Sequence, residues 1–312
     1  MINVTLKPSF ENYHSNSYFL RILGLESDEC MFLNLFELAI SIPLIKKEIK
    51  NELWHGYTPI HFQEQINRNF WLKNISAISD ALLEANCISF YIQTKDFIKS
   101  LSESNDNLFD ISRFRTNYFF DLNRSEEDAI SEHKRDSRSR LRKVLRSKYE
   151  VITNSLNYND FHHYYAANAE RLNFSDKYFL DLKTIKNIAN MITLIEIKSE
   201  NGTFLASGIF AESENEVDYL YGSDSFERKD SIRLLVHEAS NFYKSKGFKK
   251  LFLGGGISEN DNLAQFKERM GTTEAKCCAI MGITSKTKIN QALNISIDRS
   301  VFDGYFPNFI KF

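Results

Sequence analysis

The sequence predicts a mixed α+β fold that is divided between two domains. The chain has 312 residues, of which 43% are apolar and only four are proline, so it holds enough material for more than one packed core. Strand-like runs at 191–199, 203–212 and 216–222 are joined by short turn signals, among them Asn201-Gly202. A helical pattern and another apolar run follow them. Strands and helices in this order favour mixed sheets flanked by helices.

The two domains are expected to span residues 1–115 and 116–312. The stretch 95–115 is polar and irregular, and we expect the chain to cross from one domain to the other near there or at the strand "NYFFDL", 117–122. Simple internal repetition is not visible in the sequence. The domain division therefore depends on length and on the change in pattern.

The first domain contains recognisable strand and helix patterns. Apolar runs with polar interruptions predict paired strands within 31–47, and "CISFYIQT" predicts a strand at 87–94. A helix is expected between residues 63 and 83. The aromatic segment "WHGYTP" at 54–59 reads as a loop because it combines glycine and proline.

A strongly basic helix is predicted at 125–148, near the start of the second domain. Ser125 and Asp128 are spaced as a variant of the capping box at its beginning. Four arginines share an arc of roughly 80° at 100° per residue. They are Arg135, Arg138, Arg142 and Arg146. This pattern fits either a solvated helix face or a site for phosphate anions, which guanidinium groups bind well.

The best-defined site signal lies at the ends of two predicted strands. An amphipathic helix runs from Asp230 or Ser231 to Lys246, is ended by Gly247, and leads to an apolar strand. A strand reached through a helical crossover lies parallel to the strand before it. Ligands bind at the carboxyl ends of such strands. The residues at these two ends are Tyr221 and Asp224, and Gly254, Gly255 and Gly256. Three glycines allow a ligand to approach the backbone closely.

Several other classes of function are disfavoured by composition. The formal net charge is −2, so a generally basic surface is not expected. The N-terminus has no signal-peptide pattern, which favours the cytoplasm, and the apolar region 30–47 is interrupted by polar residues and proline. The four cysteines are not spaced for a metal site or a disulfide framework and are expected to be buried thiols. No metal and no tightly bound cofactor are expected.

The order of motifs in residues 216–270 resembles a known family. It reads strand, "YGSDS", helix, "LGGG", an acidic residue, "FK" and strand. This order is similar to the C-terminal half of the Fem-type peptidyltransferases and FemAB-like acyltransferases, within the GNAT superfamily. The resemblance extends more weakly to 138–151 and 169–179, and to "SIPLIKKEI" and "HGYTP" in the N-terminal half. It implies two tandem GNAT-like domains, each a mixed central sheet flanked by helices.

The resemblance also implies a reaction and a reaction centre. Fem-type enzymes transfer an acyl or aminoacyl group to an amine without a covalent enzyme intermediate. Their Phe-Lys pair matches Phe266 and Lys267 here, and its lysine is taken to stabilise the oxyanion of the tetrahedral intermediate. A fixed ammonium in a partly dry cleft is worth roughly 3 kcal/mol to such a transition state. An amine on a nucleotide- or lipid-linked sugar or on a peptidoglycan precursor is the implied acceptor, in surface-polysaccharide or cell-wall biosynthesis.

Six more residues are candidates for roles around this centre. Asp224 and Tyr221 would accept a proton from the attacking amine or orient it, because they lie at the other predicted strand end. Arg171 and Tyr178 match positions that hold the diphosphate or sugar of the acceptor in the family. Arg138 and Arg142 of the basic helix are candidates for binding phosphate.

The identity of the acyl donor stays open between two classes. The GNAT pyrophosphate loop is absent, because "FERKDSIRLL" at 226–235 contains no glycine, and the residues after the Phe-Lys pair, 268–270, depart from the family pattern. The donor is an acyl-CoA held in another way or an aminoacyl-tRNA, whose acceptor end requires a basic surface. The alternative function is a non-catalytic GNAT-fold module that binds RNA or another polyanion through the basic helix.

Overall fold

The computed structural model divides into two compact units. The described residues are 1–5, 9, 30–58, 68–94, 109–172, 179–213, 215–225, 230–256, 261–298 and 300, with only the backbone described at 111–115, 276 and 278. One unit comprises Met1–Arg115 with Ala275–Phe312, and the other comprises Thr116–Glu274. The first change between units falls after Arg115, and the last part of the chain is grouped with the first unit and not with the second.

The secondary structure is mixed. The strands are β1 Ile2–Thr5, β2 Cys30–Leu35, β3 Ile40–Lys50, β4 Leu53–Tyr57, β5 Cys87–Thr94, β6 Phe109–Asp121, β7 Tyr149–Ile152, β8 Thr193–Ser199, β9 Phe204–Ser213, β10 Glu216–Asp224, β11 Lys250–Gly255 and β12 Thr273–Ile283. The described helices are α1 Arg68–Glu84, α2 Glu126–Glu132, α3 Arg135–Leu145, α4 Tyr158–Arg171, α5 Leu182–Asn187, α6 Ser231–Ser245, α7 Asn262–Glu268 and α8 Lys286–Leu293.

The sheet of the first unit has the order β1-β2-β3-β4-β5-β12. Neighbouring strands are antiparallel except for β4 and β5, which are parallel and are joined through α1. Trp71 and Ile78 of α1 are fully buried in one core with Phe90 of β5. The predicted loop at 54–59 is wrong over most of its length, because Trp54 is buried in this core and the segment pairs with both β3 and β5.

Strand β12 explains why the end of the chain belongs to the first unit. Its residues 278–283 pair antiparallel with β5, and Ile280 is buried in the same core as Phe90. Gly282 permits this pairing, since a Cβ there would lie 2.2 Å from Cζ of Phe90. Residues 275–312 were predicted to belong to the second domain. The long-range pairing with β5 places them in the first, and such pairing leaves no local signal in sequence.

The sheet of the second unit has the order β7-β8-β9-β10-β11-β6. Only β10 and β11 are parallel, as the helical crossover predicted, and the other neighbours are antiparallel. Leu235 and Tyr243 of α6 are buried against Phe210 and Ile195 of the sheet. The predicted turn at Asn201-Gly202 is confirmed: Gly202 has φ +78° and its amide donates to the Ser199 carbonyl at 2.8 Å.

The two units repeat one strand arrangement. In each, five strands follow one another across the sheet, only the fourth and fifth are parallel, and a sixth lies antiparallel beside the fifth. The sixth strand is β12 in the first unit and β6 in the second. The prediction of two tandem GNAT-like domains, each a mixed central sheet flanked by helices, is confirmed, although the repeat is not visible in the sequence.

The basic region forms two helices and not the single helix predicted at 125–148. Ser125 caps α2, as expected, by accepting a hydrogen bond from the Asp128 amide. The chain then breaks at His133 and Lys134, whose ψ angles are 139° and 147°. The break is stabilised by tertiary contacts, because the His133 ring lies buried 3.1 Å from the Ser137 hydroxyl and the Lys134 amide donates to the Arg269 carbonyl at 3.1 Å.

Candidate active site

The parallel strands β10 and β11 separate toward their carboxyl ends. They pair only from Glu216 with Lys250 to Asp218 with Phe252. Beyond these pairs, each strand contains a β-bulge or similar irregularity and continues beside its other neighbour. A bulge bends a strand and redirects its end. We call the region beyond Asp218 and Phe252, bounded by residues 219–224 and 253–255, the β10–β11 opening.

The equivalent pair in the first unit is closed. Strands β4 and β5 remain paired from Trp54 with Cys87 to Tyr57 with Tyr91. The Thr58 amide extends the pairing by donating to the Tyr91 carbonyl at 3.0 Å. The two copies of the arrangement therefore differ where ligands bind in open sheets of this kind. Among the described strands, only the second unit leaves the ends of its parallel pair separated.

The glycine run forms the β11 side of the opening. Gly254 has φ +69° and lies at the irregularity of β11, where a residue with a side chain would be strained. A Cβ on Gly254 would lie 3.7 Å from the Lys267 ammonium nitrogen. The carbonyl of Gly255 accepts a hydrogen bond from that nitrogen at 2.6 Å. Gly256 follows directly after the strand and is half-buried.

Lys267 is brought to the glycine run by the short helix α7. Asp261 caps this helix by accepting a hydrogen bond from the Ala264 amide at 2.7 Å. Lys267 lies in the last turn and is only 8% exposed, although lysine side chains are usually solvated. The predicted proximity of Lys267 to the glycine run is therefore present, with the ammonium directed at backbone and not at bulk water.

The neighbouring Phe266 contacts a residue that no sequence pattern indicated. Arg233, on the first turn of α6, places its guanidinium carbon 4.5 Å from the centre of the Phe266 ring. Residues 268–270, which depart from the family pattern, pack through different contacts: Glu268 pairs with Lys134 at 2.6 Å, and Met270 is buried. The end of α7 is therefore held against the beginning of α3.

Asp224 lies at the β10 side of the opening. One of its carboxylate oxygens, Oδ1, is buried and has no hydrogen-bond partner within the described part of the chain. The hydroxyl of Ser225 is likewise buried without a partner among the described residues. Buried polar atoms are nearly always hydrogen-bonded in native proteins. The two oxygens belong to consecutive residues at the end of β10.

Helix α4 covers this end of β10 with an aromatic and an amide side chain. Tyr165 packs edge-on against Tyr221, with ring centres 5.6 Å apart. Burial and the neighbouring Tyr165 raise the pKa of Tyr221, so it is a neutral phenol at ordinary pH. Asn168 donates to the Asp224 carbonyl at 3.1 Å and accepts from Arg171 at 3.2 Å. Asn168 thus connects two predicted site residues, and nothing in the sequence singled it out.

The remaining predicted site residues are partly described. Tyr178 lies outside the described residues. Arg138 and Arg142 lie on α3 and line an open groove of about 590 Å³, which we call the basic groove. It is lined by Arg135, Arg138, Ser139, Arg142, Lys143 and Arg146. The structure therefore brings Arg138 and Arg142 together, on a helix that begins beside α7.

Two further properties of the described residues bear on function. Within the ranges given above, no group of three or more His, Cys, Asp or Glu side chains is arranged to hold a metal ion. Among the helices that are described, none combines the length and apolar character needed to cross a membrane. The described cysteine side chains, Cys30, Cys87 and Cys277, are buried, as expected.

The repeated strand arrangement, with an open parallel pair in the second unit, defines a tandem GNAT-like fold. Among solved structures, the chain is similar to the crystal structure of FemX, with a TM-score of 0.65, 12% identity, and coverage of 93% of this chain and 96% of that chain. The resemblance to the Fem-type fold is thereby confirmed. At this identity the likeness is one of fold.

Two other structures share the fold over most of their length. L-PGS from Bacillus licheniformis has a TM-score of 0.54 and 11% identity, and the match covers 88% of this chain and 89% of that chain. The C-terminal domain (DUF2156) of a putative lysylphosphatidylglycerol synthetase from Agrobacterium fabrum has a TM-score of 0.52 and 11% identity, over 95% of this chain and 94% of that one. No protein-family model and no curated protein sequence matches the chain.

Proposed function

We propose that this protein is an N-acyltransferase. It moves an acyl or aminoacyl group from acyl-CoA or aminoacyl-tRNA to an amine of a nucleotide- or lipid-linked sugar or of a peptidoglycan precursor. The observation that carries the proposal is the buried ammonium of Lys267, held 2.6 Å from the Gly255 carbonyl at the edge of the β10–β11 opening. The name of one structure with this fold, a lysylphosphatidylglycerol synthetase, describes a lipid that carries a lysyl group.

The proposed chemistry requires one positive charge at the reacting carbonyl. The amine nitrogen attacks the carbonyl carbon of the donor ester or thioester, and the carbonyl oxygen becomes negatively charged in the tetrahedral intermediate. The bond to the leaving oxygen or sulfur then breaks. Lys267 would stabilise the negative oxygen, and its fixed position means that little reorganisation is needed during the reaction. Removing one such group costs roughly 3 kcal/mol of transition-state stabilisation.

Asp224 and Tyr221 would act on the attacking amine in different ways. Oδ1 of Asp224 is buried and has no hydrogen-bond partner among the described residues, so it is an acceptor suited to an N–H group, and the carboxylate can take the proton that the nitrogen loses. Tyr221 keeps its proton because burial raises the pKa of its phenol. We therefore assign proton acceptance to Asp224 and orientation of the substrate to Tyr221.

The other residues would bind the two substrates. Arg171, joined through Asn168 to the Asp224 carbonyl, would hold the diphosphate or sugar of the acceptor. Tyr178, which lies outside the described residues, is proposed for the same role from the sequence resemblance alone. Gly254, Gly255 and Gly256 permit close approach to the backbone. The basic groove, with Arg138 and Arg142, would bind the phosphates of acyl-CoA or tRNA. The proposed setting is surface-polysaccharide or cell-wall precursor synthesis in the cytoplasm, without a tightly bound cofactor.

Product analysis tests the proposal directly. The purified protein is incubated with amino-sugar nucleotides and either an acyl-CoA mixture or charged tRNA, and products are identified by mass spectrometry. Lys267→Ala should lower turnover about 100-fold while acceptor affinity, measured by calorimetry, stays within about threefold. Lys183→Ala, at an exposed position on α5, serves as the control and should be unchanged. Full turnover by Lys267→Ala would exclude the proposed role of the ammonium.

A second function, polyanion binding without catalysis, is favoured by the basic groove alone. Arg135, Arg142, Lys143 and Arg146 have no ion-pair partner among the described residues, whereas Lys134 and Arg140 are paired with Glu268 and Asp230. Their charge therefore remains available to phosphates. A pure binding module would show RNA affinity that Arg142→Gln weakens, and no acyl transfer with either class of donor.

A further inference from the structure

The buried Arg233 is fixed by contacts from three helical segments. Its Nε donates to the Asp230 carboxylate at 2.9 Å, before the first turn of α6, and its Nη1 donates to the Ser137 hydroxyl of α3 at 2.6 Å. The guanidinium also lies over the ring of Phe266, which belongs to α7. Arg233 is only 6% exposed. Buried charges in proteins are normally paired, and Nε and Nη1 of this guanidinium each donate to a polar partner.

The backbone at Asp230 shows that this arrangement is maintained at a conformational cost. Asp230 occupies the N-cap position of α6 with φ +73°, in the left-handed region that side chains other than glycine disfavour. An N-cap aspartate usually accepts a hydrogen bond from the helix amides, but the Asp230 side chain makes no such bond and contacts Arg233 instead. The local conformation therefore serves the position of Arg233 and not the stability of the helix end.

Helix α7 depends on external contacts for its orientation. It has only seven residues, and helices of this length are not stable by themselves. Phe266 and Lys267 are consecutive, so they point about 100° apart around the helix axis. A rotation that moved the Phe266 ring would therefore also move the Lys267 ammonium. The cation–π contact between the Arg233 guanidinium and the Phe266 ring opposes such a rotation.

We propose that Arg233 is a positioning residue: by holding the Phe266 ring, it fixes the rotation of α7 and keeps the Lys267 ammonium beside the Gly255 carbonyl. This proposal rests on the proposed function for its catalytic meaning, but the position of Lys267 is measurable without any substrate. Arginine is required because its guanidinium lies over the ring while two of its nitrogens donate to Asp230 and Ser137. A lysine ammonium carries the same positive charge, but it is not planar as a guanidinium is.

The test measures how accessible the Lys267 amine is to acetic anhydride. A short pulse acetylates exposed lysines, and peptide mass spectrometry gives the acetylation of Lys267 relative to that of the exposed Lys183 in the same sample. In Arg233→Lys and in Phe266→Leu, we expect this ratio to rise about fivefold, because α7 no longer holds the ammonium at the carbonyl. Phe266→Leu removes only the ring and leaves the hydrogen bonds of Arg233 unaltered, so it decides the outcome if Arg233→Lys fails to fold.

The matched control is Arg140→Lys. Arg140 also pairs with Asp230, at 3.7 Å, but its side chain is exposed and it contacts neither Phe266 nor α7 in the described structure. Its acetylation ratio should stay within about twofold of the unaltered protein. An unchanged ratio in Arg233→Lys and Phe266→Leu would overturn the positioning role. Transfer assays distinguish this failure from failure of the proposed function, which Lys267→Ala tests independently of Arg233.

With an identified substrate pair, Arg233→Lys should lower kcat about tenfold with KM within about threefold, because the reaction centre is misplaced while substrates still bind. If activity falls only in proportion to the loss of thermal stability, Arg233 has a purely structural role, and the proposal is contradicted.

Discussion

Gly254 shows at the level of one residue how the backbone serves the site. Its φ of +69° is the reason for glycine, and a Cβ on this residue would lie in ordinary contact with the Lys267 nitrogen, at 3.7 Å. Gly202 shares the first property, with φ +78°, but a Cβ there would have no atoms within 4 Å. Comparing substitutions at the two glycines therefore separates the effect of backbone strain from the effect of a methyl group in contact with the Lys267 ammonium.

Gly254→Ala and Gly202→Ala are accordingly expected to differ in activity but not in stability. Each should lower the free energy of unfolding by about 1–2 kcal/mol, because alanine is strained in the left-handed region. Only Gly254→Ala should also reduce acyl transfer, since its methyl group lies beside the Lys267 ammonium. Urea denaturation and turnover measurements check both parts. Equal activity in the two variants would show that the space beside Lys267 is not used.

His133 predicts how stability depends on pH. Burial is the largest cause, and together with the electrostatic effect of the neighbouring His237, Arg233 and Arg138 it lowers the pKa of His133 from 6.5 to about 4. The unfolded chain therefore takes up a proton that the folded chain does not bind, so stability is complete above pH 6.5 and falls as the pH decreases toward 4.

His133→Asn should weaken this dependence without abolishing it, because His55, buried in the first unit, has a pKa lowered to about 3 by the same effect of burial. Thermal unfolding followed by circular dichroism between about pH 7 and about pH 4 measures the change, and the variant should lose less stability over that interval than the unaltered protein. Identical pH profiles would show that His133 does not remain neutral in the folded state.

At the level of elements, α7 is the segment on which the site depends most directly. Its cap, Asp261, is therefore a sensitive position. Asp261→Ala should destabilise the unit by about 1 kcal/mol and lower turnover, whereas Asp261→Asn, which can still cap, should restore much of both. Ser125→Ala removes the cap of α2 and should cost similar stability with unchanged turnover. Loss of turnover in both cap variants would indicate a general effect of stability.

The elements that sequence predicted well are those determined by neighbouring residues. The Asn201-Gly202 turn, the parallel β10–β11 pair and the helix that ends at Gly247 each follow from local residue choice or from a short crossover. The elements that it missed depend on distant partners. Strand β4 was taken for a loop because Gly56 and Pro59 are turn formers, but burial of Trp54 determines its structure.

The same distinction applies to the site. Lys267 and the glycine run carried a motif, so their proximity was predictable. The contacts of Arg233 and Asn168 were not predictable, because an arginine or an asparagine within a helix is common and gives no signal in the sequence. Their importance arises from contacts with Phe266 and with Asp224, which belong to other elements. The break at His133 likewise depends on Arg269, far along the chain.

At the level of the whole molecule, the two units contain a closed and an open version of one parallel pair. Amide hydrogen exchange should detect the difference. Peptides covering 53–58 and 87–92 should exchange slowly, because β4 and β5 are paired to their ends. Peptides covering 219–225 and 253–256 should exchange faster and should become protected when the donor or acceptor binds. Equal exchange in the free protein would contradict the presence of an opening in solution.

The position of β12 has a consequence for how the protein is made. The edge of β5 that β12 covers is completed by residues 278–283, which leave the ribosome only after the entire second unit has been synthesised. Until then the first unit exposes an unpaired strand edge and lacks Ile280 in its core. The first unit, which precedes the second in the sequence, therefore reaches its final structure only after the second unit has been synthesised, and its open strand edge is prone to aggregation during that interval.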